Sequence, residues 1–335
     1  MQTKPYNSLT YWQPFTKTEE TSQWVNGLGQ QLKQATRWAA VPLPFESGSL
    51  KIGLTTNSLW LIREWGKAGK LAIRTCFDPQ GIQGYKPIRT TETEVEYRVQ
   101  GALGTFRVVI ERPLPHEPLL RYTTSLKPRQ PFTVQAFPRD LYLLDTDYDP
   151  LTTEGMVYVT QNGPTSGMTY LSTIQPTEGS ILYFQNFTAL NDYCQDTRTE
   201  PSNTVKVQWP EAGFTLPSSE KPLEAGKGIV LSDAFIYQNE SVPQSEFEAA
   251  DQFLEAMVCL YKHLPKPETD YFDWPKIAER TIQALTESED RRTVFCPHPA
   301  AGRFVFCRPP GQCLLSRSVD QPGVVARWFS LETGG

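Results

Sequence analysis

The chain has 335 residues, 39% of them hydrophobic and 21% charged, with a formal net charge of −5 and a pI near 5.4. This supports a soluble globular protein with a sizeable core, and an acidic balance without clustered Lys and Arg gives no electrostatic reason to bind nucleic acid or an anionic membrane. No apolar run reaches membrane-spanning length and the N-terminus has no secretory signal pattern, so the expected location is cytoplasmic.

Short β-branched and aromatic runs separated by Gly, Pro, Asn and Asp fill the sequence from about Ser49 to Gln238. "SLKIGLTT", "KLAIRTCF", "EVEYRVQG", "TFRVVIER", "LLRYTTSL", "FTVQAF", "GMVYVTQ", "MTYLST", "SILYFQNF", "TVKVQW" and "GIVLSDAFIY" are the candidate strands, too many for one small barrel. Several alternate apolar and polar residues, as Val95, Tyr97 and Val99 do against Glu94, Glu96 and Arg98, which predicts strands that bury one face. The expected fold is mainly β: a large antiparallel β-sandwich over residues 1–240, with an N-terminal extension, followed by a short α-helical hairpin.

The period changes after residue 240. Ser245 with Glu248 forms a capping box, and Phe247, Ala250, Leu254, Met257, Val258, Tyr261 and Leu264 recur at helical spacing. Prolines in "LPKPETDYFDWP" end this helix. Asp273 caps a second one, with Ile277, Ala278, Thr281, Ile282 and Leu285 on one side. Residues 241–289 thus read as the opening hairpin of a helical domain, with apolar stripes that need partners. Residues 290–335 break with the preceding composition, having lost Lys and gained Arg, Cys and Pro; they are expected to be a disordered or frame-shifted tail marking a truncation.

Chemistry is sparse. Cys296, His298, Cys307 and Cys313 could supply four zinc ligands, but only Cys296 and His298 are close in sequence, and the intervening residue is proline. A hairpin turning at "AAGR" is the alternative. Asp145, Asp147 and Asp149 alternate like the start of a calcium loop, yet Pro150 replaces the required glycine and Met156 falls where the bidentate acid belongs. His116 and His263 read as surface or structural residues, His263 favouring a helix C-terminus. Cys76, Cys194 and Cys259 read as single free thiols, and the glycosylation patterns at Asn186 and Asn239 as coincidence without a signal sequence. No Walker loop, nucleotide-binding glycine pattern or His-Glu metal motif occurs, so no cofactor or metal is assigned.

The remaining binding candidates are aromatic. Trp60 and Trp65 in "SLWLIREWG" and Tyr183 in "LYFQNFTALNDYC" could offer flat faces to sugar rings, with Asn191 and Asp192 as hydrogen-bonding groups; the same aromatics also suit a sandwich core.

A β-rich domain followed by helices containing "YFDWPKIAERTIQAL" resembles bacterial two-domain glycoside hydrolases of the six-hairpin class, in which a β-sandwich precedes an (α/α)6 barrel. The resemblance covers about Ser49 to Leu285 and is one of layout. It implies the N-terminal portion of a carbohydrate-active enzyme, inactive alone, because the catalytic carboxylates of that class sit in the barrel; no catalytic residue is carried over. The alternative is a non-catalytic sandwich that binds glycans or another protein.

Overall fold

The computed structural model describes residues 13–14, 23–45, 48–65, 69–114, 117–162, 166–175, 179–266, 273–286, 294–298 and 303–307. The chain divides into two compact units, Met1–Pro265 and Lys266–Gly335. In the first, the strands are β1 Gln13–Pro14, β2 Thr36–Ala40, β3 Ser49–Leu54, β4 Ser58–Trp65, β5 Gly69–Phe77, β6 Ile82–Thr90, β7 Glu94–Gly101, β8 Gly104–Glu111, β9 Leu119–Pro128, β10 Leu141–Leu144, β11 Glu154–Asn162, β12 Ser166–Gln175, β13 Gly179–Asn186, β14 Val205–Gln208, β15 Glu211–Phe214 and β16 Ile229–Asn239. Helices α1 Leu28–Gln34, α2 Asn191–Thr197 and α3 Glu246–His263 accompany them. The second unit holds α4 Trp274–Thr286 and the strands β17 Val294–His298 and β18 Arg303–Cys307.

The first unit is mainly β, as the strand pattern predicts. A nine-stranded sheet has the order β1-β11-β12-β13-β16-β9-β8-β7-β6, and a seven-stranded sheet the order β14-β15-β10-β5-β4-β3-β2. Leu59, Leu61, Leu71, Ile73, Leu141 and Leu143 of the smaller sheet share one core with Leu120, Tyr122, Ile181, Tyr183, Ala234 and Ile236 of the larger. Two stacked antiparallel sheets with interdigitated side chains form a sandwich.

The central strands do more than bury one face. On the far side of the larger sheet, the intervening residues Leu119, Leu182, Phe184, Phe235 and Tyr237 pack against Ala249, Ala256, Cys259 and Leu260 of α3. On the far side of the smaller sheet, Trp60, Ile62, Ala72, Tyr142 and Leu144 pack against Val25, Leu28 and Leu32 around α1. With period two, every second residue enters one core and the residues between enter another, so these strands read as unbroken apolar runs such as "ILYF" and "LYLL". The expectation of one buried face therefore fails at the centre of both sheets. Toward the edge it improves: β6 exposes Lys86, Pro87 and Arg89, residues that discourage further strand pairing.

Several strands differ from the sequence pattern. β1, β2, β4, β6, β10 and β15 are additional, while "FTVQAF" forms only an isolated bridge between Phe132 and Leu223. Pro131 and Pro138 bound that segment and remove ladder donors; Val134 is nevertheless buried, its N–H donating to Ser219 Oγ at 2.8 Å.

Helix α3 starts as predicted: Ser245 Oγ accepts from the Glu248 N–H at 3.2 Å, while Glu248 Oε2 accepts from the Gln244 N–H at 2.6 Å. Its orientation is the surprise. Most of the stripe that is plain in the sequence points outward, with Phe247, Leu254, Val258 and Tyr261 85%, 59%, 56% and 63% exposed, while its members Met257 and Leu264 pack partly buried against the inward cluster and the opposite face holds the buried Ala249, Ala256, Cys259 and Leu260. The helix is apolar on two sides, although a helix on a globular surface needs only one apolar stripe.

In the second unit, β17 and β18 pair antiparallel, with Cys296 opposite Val305 and His298 opposite Arg303. This is the backbone hairpin anticipated as one alternative for the tail; Cys313 and the rest of the C-terminus lie outside the described residues. Among the described residues no helix is long and apolar enough to cross a membrane.

Candidate functional site

Of the sequence-selected binding residues, Trp60 and Tyr183 enter separate core layers. Trp60 is 1% exposed in the layer beneath α1, its Nε1 donating to Thr55 Oγ1 at 3.1 Å. Tyr183 is fully buried between the sheets, in a different layer. Neither ring offers a face to a sugar. Asn191 and Asp192 are exposed in the first turn of α2, a natural place for an acid. The Trp65 side chain and His116 lie outside the described residues. Asp145 turns back on its own loop, its Oδ1 accepting from the N–H groups of Asp147 at 2.7 Å and Asp149 at 2.8 Å, as a turn-forming aspartate does. Cys76 and Cys259 are buried free thiols and Cys194 is a partly buried one.

Two other constellations are built by the fold. The first lies inside the sandwich. Asp140, the residue before β10, accepts hydrogen bonds at Oδ2 from Tyr122 of β9 and from Tyr183 of β13, the latter at 2.5 Å, and at Oδ1 from the Phe214 N–H at 2.8 Å. Tyr183 Oη also lies 3.1 Å from Gln185 Oε1, which accepts from Ser232 Oγ at 3.2 Å. A cavity of about 50 Å³ adjoins Asp140, Tyr122, Ser232 and Arg74, enough for a few waters. Burial pushes the Asp140 carboxyl up to about 6 against the hydrogen bonds of Tyr122, Tyr183 and Phe214. Arg74 is also buried, with its guanidinium 4.5 Å from the Trp60 ring centroid, and desolvation lowers its pKa. This network ties sheet to sheet; its room for ligands is too small for a sugar.

The second constellation is at the C-terminal end of α3. Glu117 stands at the entry to β9, where the Pro118 carbonyl accepts from the Gln238 N–H at 3.0 Å and so anchors the segment to β16. Cys259 and His263 are one turn apart on α3, on one face. Glu117 Oε2 lies 3.2 Å from Cys259 Sγ and 2.7 Å from His263 Nε2, and the three donor atoms are all within 4.8 Å of one another. Cys259 is buried, whereas the Glu117 and His263 side chains retain 20% and 17% exposure. Lys262 Nζ is 3.6 Å from Glu117 Oε1. Burial pushes the Glu117 carboxyl up, but the hydrogen bonds from His263 and Cys259 and the charges of His263 and Lys262 outweigh it and hold the group below its ordinary value. Burial and the Glu117 carboxylate push the Cys259 thiol up to about 12.

Sequence reasoning placed His263 at the helix end but did not join it to Cys259 or to Glu117, which is more than 140 residues earlier in the chain. The local signal was available: a Cys and a His four apart on a helix are both presented to one point. The third member could come only from the tertiary fold.

No protein-family model, no curated protein and no solved structure matches this chain.

Proposed function

We propose that this chain is the β-sandwich portion of a glycoside hydrolase-like, carbohydrate-active protein, and that the sandwich supports a helical catalytic domain without carrying the catalytic carboxylates itself. The observation that carries this reading is the outward stripe of α3, Phe247, Leu254, Val258 and Tyr261. Its residues follow the i, i+7, i+11, i+14 spacing by which one helix seats against another. A helix that is apolar toward the sandwich and apolar away from it suits a position between a β layer and a helical one. The large internal aromatics Trp60, Tyr122, Tyr170 and Tyr183 are consumed by the core, which favours a supporting role over sugar binding by these rings.

The test is enzymatic. The isolated chain, incubated with a panel of oligosaccharides, should release no reducing sugar. The gene should be translated past residue 289 in all three frames, and the product that continues with amphipathic helices expressed; it should hydrolyse at least one member of the panel. A product with helices but neither hydrolysis nor glycan binding would overturn the carbohydrate reading and leave a protein-binding sandwich as the alternative.

A further inference from the structure

We propose that Glu117, Cys259 and His263 form a binding site for a divalent cation of the zinc class, which clamps the last turn of α3 to the strand entering β9. This inference does not depend on the carbohydrate reading.

The chemistry of the donor set is the first argument. A thiolate, an imidazole and a carboxylate are the three ligand types that zinc accepts in proteins, and soft-to-borderline donors select it over magnesium or calcium. Three protein ligands with a fourth position left to water is an established arrangement for this ion. The partial exposure of Glu117 and His263 leaves that fourth position an approach from solvent, while the buried Cys259 forms the floor.

Geometry is the second argument. Around a tetrahedral zinc with bonds of about 2.0–2.3 Å, neighbouring donor atoms are roughly 3.3–3.5 Å apart. The observed separations are 3.2 Å for sulfur to Glu117 Oε2 and 2.7 Å for His263 Nε2 to the same oxygen. Cys259 Sγ and His263 Nε2 lie within 4.8 Å of each other, so the three donors already face one point, and side-chain movement away from Oε2 opens the space the ion needs. Glu117 Oε1 is already turned to Lys262 at 3.6 Å, which leaves Oε2 as the single coordinating oxygen.

Each ligand is held by a different feature. Cys259 and His263 are fixed one turn apart by α3, whose buried face is docked on Leu119 and Tyr237, and Glu117 is fixed by the pairing of its neighbour Pro118 with Gln238. On binding, the Cys259 sulfur exchanges its proton for the metal and that proton passes to solvent, while His263 Nε2 gives up the proton it shares with Glu117, to Nδ1 from a neutral ring or to solvent from a charged one. The resulting clamp fixes the helix that carries the outward apolar stripe.

The experiment uses the full chain, treated with chelator and titrated with Co2+ and then Zn2+. One equivalent of Co2+ should produce thiolate-to-cobalt charge-transfer absorption, which Zn2+ abolishes by displacement, and Zn2+ should raise the melting temperature. Cys259→Ser should remove the charge-transfer band, and the near-isosteric Glu117→Gln and His263→Gln should each weaken binding by at least about tenfold. Far-UV circular dichroism of the metal-free variants confirms that they are folded. The C-terminal cysteines serve as the control: the triple variant Cys296→Ser, Cys307→Ser, Cys313→Ser should keep the band. The proposal is overturned by a band that survives Cys259→Ser and disappears in the triple variant, or by wild-type protein that shows neither the band nor a zinc-dependent rise in melting temperature.

Discussion

Tyr183 of β13 donates a 2.5 Å hydrogen bond to Asp140 Oδ2 across the interior of the sandwich, so that one carboxylate of the smaller sheet is held by the larger. Tyr122 donates to the same oxygen from β9. The carboxyl is shielded from bulk solvent, and its charged form is costly there despite three hydrogen-bond donors.

Stability should therefore carry a signature of Asp140. Its native pKa is raised to about 6 from an ordinary value of 3.8. A raised value means that the folded state holds the proton more tightly than the unfolded state. The stabilisation is thus complete below about pH 4 and lost as pH rises through 6. Urea unfolding of the wild type and of Asp140→Asn should show their difference in stability shrinking, against the wild type, by on the order of 3 kcal/mol between about pH 4 and pH 7. A difference that stays flat over this range would mean that the carboxyl does not titrate there.

Gly213 is tied to the same carboxyl. Its φ is +80°, and a Cβ at that position would lie 2.1 Å from Asp140 Oδ1 and 2.9 Å from Leu141 Cβ. Gly213→Ala combines left-handed strain with a collision against buried neighbours and should cost about 3 kcal/mol or more in chemical denaturation. Gly226, also left-handed at φ +78° but with no atom within 4 Å of the place a Cβ would take, separates the two effects. Its alanine variant should lose only the strain contribution, about 1–2 kcal/mol.

Asp233 should be one of the costliest acids to remove. Its oxygens accept from Arg121 Nε at 2.8 Å and Nη2 at 3.1 Å, from Thr123 Oγ1 at 3.1 Å and from Asn186 Nδ2 at 2.9 Å, with the side chain 2% exposed. Asp233→Ala strands the half-buried Arg121 guanidinium with only Glu111, at 3.2 Å, as its remaining ion partner among the described residues. The expected loss is about 3 kcal/mol. Arg121→Met combined with Asp233→Ala should cost less than the sum of the single changes, which a double-mutant cycle measures directly.

The two faces of α3 should respond in opposite ways. Leu260 is 1% exposed, and Leu260→Ala should destabilise the protein by about 2–5 kcal/mol. Phe247→Ser with Leu254→Ser alters the outward stripe and should leave the unfolding free energy within about 0.5 kcal/mol of wild type per site. The same double change should reduce binding of a hydrophobic dye and any self-association seen by light scattering. Equal destabilisation from both faces would show that the outward stripe is already buried in the isolated protein.

The β architecture was legible because alternation and turn residues are local signals. They exposed most strands, including "EVEYRVQG" as β7 and "TFRVVIER" as β8. β10 was missed for the opposite reason: "LYLL" is buried on both faces, so it has no alternation to detect. The same physics left the aromatic residues open between core and sugar contact, since a tryptophan on a strand looks identical in sequence whether the layer above it is water or a helix. Trp60 became core because α1, at Leu28–Gln34, covers that sheet face.

The amino-acid sequence alone determined a mainly β chain with a switch to helical periodicity near residue 245, the N-cap of α3, and the presence of a Cys and a His one turn apart on that helix. These follow from backbone periodicity and capping, which act over a few residues. Only the tertiary structure decided which face of α3 is buried, that Asp140 is shared between two sheets, and that Glu117 meets Cys259 and His263. Each of these is a contact between elements distant in the chain, set by how the layers stack, and no local pattern encodes it.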